Sequence, residues 1–402
     1  MKTDVSIKLQ VYIKLSNEKY FVNDALLLCE GSEYKIVANI DSKDAPKFSF
    51  RSKYWNDHML SLKLHQEFNV KKAYLDNREI KVRFNYSRLT GLYGEHYLHK
   101  NYTTFVWKID SFVYEVENVN SVAENDVVYC LTRNANEIFE NGEKNISFQY
   151  RGLDLSLFID RNENIGLKCS MRQDFIVDEI LMLMSFYLRT PIECRMIHSS
   201  NTNMVKNEYR KMKYNIIEKH IVHFQFMYLD MEEINTFINF IDAINRNEIE
   251  GAVFSCIQKG IDTYVRSNYL DNLSKYIQLY SVLAVFANKI HDFQGNNEYK
   301  RIKCLFEEFN INISLLDNGI SRKNWIDSNG ESINNFAELR NEIMHSLPSQ
   351  DIIDFLDNES IVVSCLEFII CVIILKELGL FDVKFAKEYG VDVFNKDSEN
   401  NN

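Results

Sequence analysis

Residues 333–348 read Ile333-Asn-Asn-Phe336-Ala-Glu-Leu339-Arg340-Asn341-Glu-Ile343-Met344-His345-Ser-Leu-Pro348, with apolar side chains at Ile333, Phe336, Leu339 and Ile343. That spacing draws one buried stripe along a helix. Pro348 and the polar Ser349–Gln350 stop the helix just after His345. His345 thus stands near the negative end of the helix dipole, and imidazole is the side chain suited to exchanging protons near neutral pH. Asn341 and His345 are four residues apart and share a helix face. Arg340 and His345 are five apart and diverge by roughly 140° at about 100° per residue.

Outward from this segment the helical period continues. Met231–Ala243 carries Ile234, Phe237, Ile238 and Ile241 on one face, and Gly251–Arg266, Asn272–Phe293, Tyr299–Phe309 and Ser360–Leu378 follow. Together with Ser332–His345 this gives five or six helices, the pattern of a bundle. Asn272–Phe293 is apolar almost all round, which suits a bundle centre or a dimer interface.

The first half has a different period. Val5, Ile7, Leu9, Val11 and Ile13 alternate as in a strand, so a strand and not a secretory leader is expected at Met1–Leu15. Short β-branched and aromatic segments recur at Tyr34–Ile40, Ile80–Asn85, Tyr102–Ile109, Phe112–Glu117, Asp126–Leu131, Ile146–Tyr150, Leu153–Ile159, Gly166–Ser170, Glu193–His198 and His220–Tyr228. One helix, Asp174–Leu188, interrupts them. The expected fold class is α+β: a β-rich domain over residues 1–230, an all-α bundle over 231–395 and a disordered Asn-rich tail over 396–402.

At 46% hydrophobic and 26% charged the chain is globular. The apolar run Ile361–Leu375 holds Ser364 and Glu367 and is shorter than the ~20 residues of a bilayer span. No membrane role is therefore expected. The eight cysteines form no CxxC pair and lie mostly in apolar runs, as reduced core thiols of a cytoplasmic protein do. From Met231 to Asn402 there are 15 Lys+Arg against 27 Asp+Glu, whereas residues 1–230 have 31 against 30. The acidic half repels a polyanion unless local basic groups intervene.

Arg340, Asn341 and His345, on an amphipathic helix followed by a long apolar one, resemble the HEPN superfamily, whose marker is an Arg, often followed by Asn, with a His a few residues later near a helix end. The motif resemblance covers about the last 170 residues. A β-rich half fused to such a bundle is similar in architecture to the Apea-like HEPN proteins of bacterial anti-phage defence. The resemblance implies metal-independent RNA cleavage without a cofactor. Arg340 would grip phosphate oxygens, Asn341 would orient His345 or the phosphate, and His345 would move protons. It also implies a homodimer through the helical domain, with a composite site that brings one copy's Arg340 near the other's His345. A protein trigger bound by the N-terminal domain would control the nuclease. The substrate would be RNA, tRNA among the candidates, in an abortive-infection or toxin-like setting.

Basic residues supply candidate RNA contacts. Lys206, Arg210, Lys211 and Lys213 are interleaved with Tyr209 and Tyr214, and Lys300, Arg301 and Lys303 lie within the acidic half. The plainer reading of each set is a solvated charged face. Asp262, Asp292 and Glu307 are acidic residues able to hold Arg340. His220 and His223 read as structural histidines, since no Cys or carboxylate partner accompanies them, and His96 and His99, among Tyr93, Tyr97 and Tyr102, read as part of a tyrosine-rich surface. Two other readings stay open: a non-catalytic HEPN-like dimerisation and protein-binding scaffold, and an N-terminal domain that binds carbohydrate or peptide.

Overall fold

Strict alternation along Val5–Leu15 places Val5, Ile7, Leu9, Val11 and Ile13 inside, and the same period of two governs the first half of the chain. The computed structural model describes residues 5–15, 18–30, 33–41, 43–44, 66–84, 94–98, 102–117, 126–139, 143–201, 203–212, 236–247, 249, 251–290, 297–346, 348–358, 361–380, 387–388 and 391–392. The protein is a mixed α+β molecule, with a large antiparallel sheet region in the N-terminal half and helices in the C-terminal part.

In chain order the strands are β1 Val5–Leu15, β2 Glu18–Glu30, β3 Glu33–Asp41, β4 Gln66–Leu75, β5 Arg78–Phe84, β6 Gly94–Leu98, β7 Tyr102–Ile109, β8 Phe112–Glu117, β9 Val127–Leu131, β10 Asn145–Tyr150, β11 Leu153–Ile159 and β12 Ile165–Cys169. Helix α1, Asp174–Leu188, comes next, then β13 Cys194–Ser200 and β14 Met204–Tyr209. The remaining helices are α2 Phe237–Asn245, α3 Gly251–Ser267, α4 Asn272–Val285, α5 Glu298–Glu308, α6 Ser314–Ser321, α7 Phe336–His345, α8 Gln350–Asn358 and α9 Ile361–Glu377. A small hairpin, β15 Lys387–Glu388 and β16 Val391–Asp392, follows.

The chain forms two compact units. One holds Met1–Ser147, Asp154–Gln173 and Glu193–Ile217; the other holds Phe148–Leu153, Asp174–Ile192 and Glu218–Asn402. The helical unit thus takes α1 and a hairpin tip from the first half. The expected boundary near Met231, the strand expected at His220–Tyr228 and the tail 396–402 lie outside the described residues.

The described strands of the first fourteen run in the order β10-β11-β12-β9-β13-β14-β8-β5-β4-β1-β2-β3-β7-β6. The β4–β5 hairpin turns at Asp76 and Asn77, both with positive φ, as a two-residue turn compatible with strand twist requires. The sheet curls until β3 meets β14 and β8. Tyr34 stands edge-on to Phe112 and Tyr209, those two rings stack 4.5 Å apart, and the Tyr34 hydroxyl donates to the carbonyl of Arg210 at 2.9 Å.

In the helical unit, α1 buries Val177, Ile180, Leu183, Met184 and Phe186, and Phe186 packs on Phe240 and Tyr264. Gly260 of α3 lets the Phe286 ring approach; a Cβ there would stand 2.6 Å from its Cζ. The helix expected over Asn272–Phe293 ends as an α-helix at Val285 and continues as a π-helical turn, Phe286–Ile290. Helix α9 is buried along almost its whole length. No single helix among the described residues is long and apolar enough to cross a membrane.

Candidate functional site

Helix α7 begins where Asn335 captures its first orphan donors: the Asn335 Oδ1 accepts from the backbone N–H of Ala337 and Glu338 at 3.1 and 3.0 Å. Glu338 reaches back to the N–H of Asn334 at 2.7 Å. This capping is why the helix starts at Phe336 and not at the expected Ser332. The stripe Phe336, Ala337, Leu339 and Ile343 is buried, and Ser346 turns extended just after His345.

The helix is fixed by its first residue. The Phe336 N–H donates to Asp317 Oδ1 at 3.1 Å, and its carbonyl accepts from the buried Tyr276 hydroxyl. Tyr299 donates to the other Asp317 oxygen at 2.7 Å, and the rings of Tyr280, Tyr299 and Phe306 surround Phe336. Burial raises the Asp317 carboxyl above its ordinary range. It likewise pushes the Tyr276 hydroxyl far up, so it stays a proton donor.

Arg340 turns inward. Its guanidinium carbon lies 5.4 Å from the centroid of the Tyr280 ring, a cation–π contact, and its Nη1 donates to Asn341 Oδ1 at 3.0 Å. Its Nε is buried with no hydrogen-bond partner among the described residues. Asn341 and His345 are exposed. No hydrogen bond joins Arg340 to His345, in keeping with their angular divergence on one helix. Of the acids considered for holding Arg340, Asp262 pairs with Arg266 and Glu307 faces Lys303, while Asp292 lies outside the described residues. Arg340 instead meets Tyr280 and Asn341.

Arg301, in the first turn of α5, is half-buried, and its Nε is also buried without a hydrogen-bond partner among the described residues. Lys300 and Lys303 on the same helix are exposed, and Lys303 lies 3.9 Å from Glu307. Burial drives the Tyr280 hydroxyl well above its ordinary range; the Glu298 carboxylate, which accepts its hydrogen bond, adds to this, while Arg340 and Arg301 oppose it.

The basic strip of the sheet unit is organised around one carboxylate. Glu208 of β14 takes a two-pronged pair from Arg172 at 2.9 and 3.2 Å, with Arg210 at 3.6 Å and Lys206 at 4.0 Å. Burial raises the Glu208 carboxyl, but Arg172 foremost, then Arg210 and Lys206, brings it below its ordinary value. Lys211 pairs with Asp110 at 3.0 Å. Lys213, Tyr214, His99, His220 and His223 lie outside the described residues, as does the side chain of His96.

Sequence reasoning missed Tyr276, Tyr280, Glu298 and Asp317 as partners of the motif helix. The one signal was a pair of tyrosines four residues apart on an otherwise apolar helix, since a buried phenol needs a partner for its hydroxyl. Comparison with protein families, with curated proteins and with solved structures finds no match to this chain.

Proposed function

We propose that the protein is a metal-independent endoribonuclease of HEPN type, an anti-phage defence or toxin-like effector acting in the cytoplasm on RNA, with tRNA a candidate substrate. The observation that carries this reading is the state of Arg340. Its guanidinium rests on the Tyr280 ring with a desolvated, unpartnered Nε, on the helix that presents Asn341 and His345 to solvent. An anion would satisfy that donor.

In the proposed reaction the ribose 2′-hydroxyl attacks the adjacent phosphorus. The O2′–P bond forms, the P–O5′ bond breaks, and the products are a 2′,3′-cyclic phosphate and a 5′-hydroxyl. His345 takes the 2′ proton or delivers one to the departing 5′ oxygen. Arg340 neutralises the non-bridging oxygens of the phosphorane. DNA lacks the nucleophile and is spared. Because Arg340 and His345 diverge on one helix, two copies facing across a twofold axis would complete the site. The sheet unit would receive a protein trigger.

A second reading, a non-catalytic scaffold, draws support from His345, which makes no side-chain hydrogen bond or ion pair among the described residues, and from the acidic balance of residues 231–402. The deciding experiment is cleavage of total RNA and tRNA by the purified full-length protein in EDTA, beside His345→Ala. Cleavage by wild type alone with cyclic-phosphate ends supports the nuclease. Toxicity on overexpression that survives both Arg340→Ala and His345→Ala supports the scaffold.

A further inference from the structure

Two arginines distant in sequence share one condition on neighbouring helices. Arg301 of α5 and Arg340 of α7 each hold a buried Nε with no hydrogen-bond partner among the described residues. A guanidinium nitrogen withdrawn from water without an acceptor costs free energy unless something else supplies that acceptor. Arg340 rests on Tyr280, and Arg301 lies one turn along α5 from Glu298, which the Tyr280 hydroxyl meets. Tyr280 of α4 lies under the Arg340 guanidinium at 5.4 Å and donates its hydroxyl to Glu298. Glu298 and Arg301 are three residues apart on α5, so they occupy one face, and the face that meets the Tyr280 hydroxyl also carries Arg301. Lys300 and Lys303, by contrast, are exposed.

We propose that Arg301 and Arg340 form one seat for an RNA phosphodiester, with the Tyr280 ring as its floor. This rests on the RNA reading above and adds to it a binding residue, Arg301, and a positioning residue, Tyr280. Guanidinium is the cation suited to this task, because its planar fork gives each phosphate oxygen a directed donor. Among the described residues Glu298 is the carboxylate that meets the Tyr280 hydroxyl, and two cations against this one anion leave the seat net positive within an otherwise acidic half.

The test uses full-length protein and a 2′-O-methyl RNA oligonucleotide, which binds but lacks the attacking hydroxyl. Its affinity is measured by fluorescence anisotropy across a salt series for wild type, Arg301→Ala, Arg301→Lys, Tyr280→Leu, Tyr280→Phe and, as a charge-matched control on exposed α3 surface, Lys259→Ala. Arg301→Ala should weaken binding about tenfold and lower the salt dependence by about one phosphate contact, with Arg301→Lys recovering part of the loss. Tyr280→Leu should weaken binding similarly, and Tyr280→Phe, which keeps the floor, should stay near wild type.

If Arg301→Ala matches Lys259→Ala, or wild type does not bind at all, the seat is wrong. Should Tyr280→Leu fail to fold, Arg301→Lys against Arg301→Ala still decides. The two readings fail separately. RNA cleavage in EDTA with no Arg301 dependence of binding overturns the seat and leaves the nuclease. Arg301-dependent binding with no cleavage keeps the seat and overturns the nuclease.

Discussion

Arg189, in left-handed backbone at the end of α1, forms an ion pair with Glu367 in the middle of α9, and both side chains are more than nine-tenths buried. Lys275 of α4 joins the same carboxylate at 2.8 Å, and the Tyr264 ring lies 5.2 Å from the Arg189 guanidinium carbon. A buried arginine and a partly buried lysine therefore share one buried anion. Glu367→Gln leaves both without a counter-charge and should destabilise the protein by about 3 kcal/mol. Urea unfolding checks this; a loss below about 1 kcal/mol would mean that water reaches the cluster.

Lys275 supplies a pH test of the same cluster. Burial foremost, with the like charge of Arg189, lowers its ammonium to about 8 from an ordinary 10.5. The unfolded chain thus binds the extra proton between those values. The cost of charging Lys275 is fully present below about pH 8 and fades as pH rises toward 10.5. Wild type should gain stability relative to Lys275→Met over that window, and the variant should equal or exceed wild type at pH 7. Parallel melting curves at pH 7, 8.5 and 9.5 read the difference; a constant offset would show that the ammonium titrates as in water.

Asn335→Ala removes the acceptor for two backbone donors at the start of α7. About 1 kcal/mol of stability should be lost, with local amide exchange rising first at Ala337 and Glu338. Exchange rates unchanged at those two amides would show that the cap does not hold the helix.

His345→Ala should separate activity from folding. The side chain is exposed and makes no polar contact among the described residues, so stability should stay within about 0.5 kcal/mol. On the proposed function, cleavage of RNA should fall by a factor of about 10² or more. Retained cleavage would assign the proton transfer to another group.

Glu208→Gln tests the basic strip of the sheet unit. The substitution releases Arg172, Arg210 and Lys206 from a common carboxylate, so 2′-O-methyl RNA should bind severalfold more tightly at low salt. Unchanged affinity would leave the strip a solvated face. The depressed Glu208 carboxyl contributes stability that is present above its unfolded value and lost as pH falls through its lower folded one, so the variant should also lose acid sensitivity.

The legible parts of this fold were those with one unambiguous period. Val5–Leu15 and Tyr34–Ile40 alternate cleanly and became β1 and β3, and the Arg340–His345 segment carried its stripe and its stop within sixteen residues. Strand β2 escaped because Tyr20-Phe21-Val22 and Leu26-Leu27-Leu28 are apolar on both faces, and Phe21 is half exposed. Strand β4 escaped because Lys71 and Lys72 interrupt its pattern. Helices α6 and α8 are eight and nine residues long, too short for a period of 3.6 to stand out, and Gly319 lies inside the first. At the site, the motif was local and could be read. What Arg340 rests on was not, because Tyr280 is sixty residues away on a helix whose apolar surroundings announce burial but conceal the hydroxyl.

The placement of α1 sets an order of events in synthesis. This helix belongs to the helical unit yet leaves the ribosome between two strands of the sheet unit. At about 5–20 residues per second, roughly ten to forty seconds pass between the emergence of Leu188 and that of Leu378. For nearly all of that interval Arg189 has no Glu367, and at first Phe186 has neither Phe240 nor Tyr264. A nascent chain therefore has every described strand of its sheet unit before the helical unit can close. The helix bearing Arg340 is among the last pieces to be seated, so a truncated translation product carries the sheet without a finished helical unit.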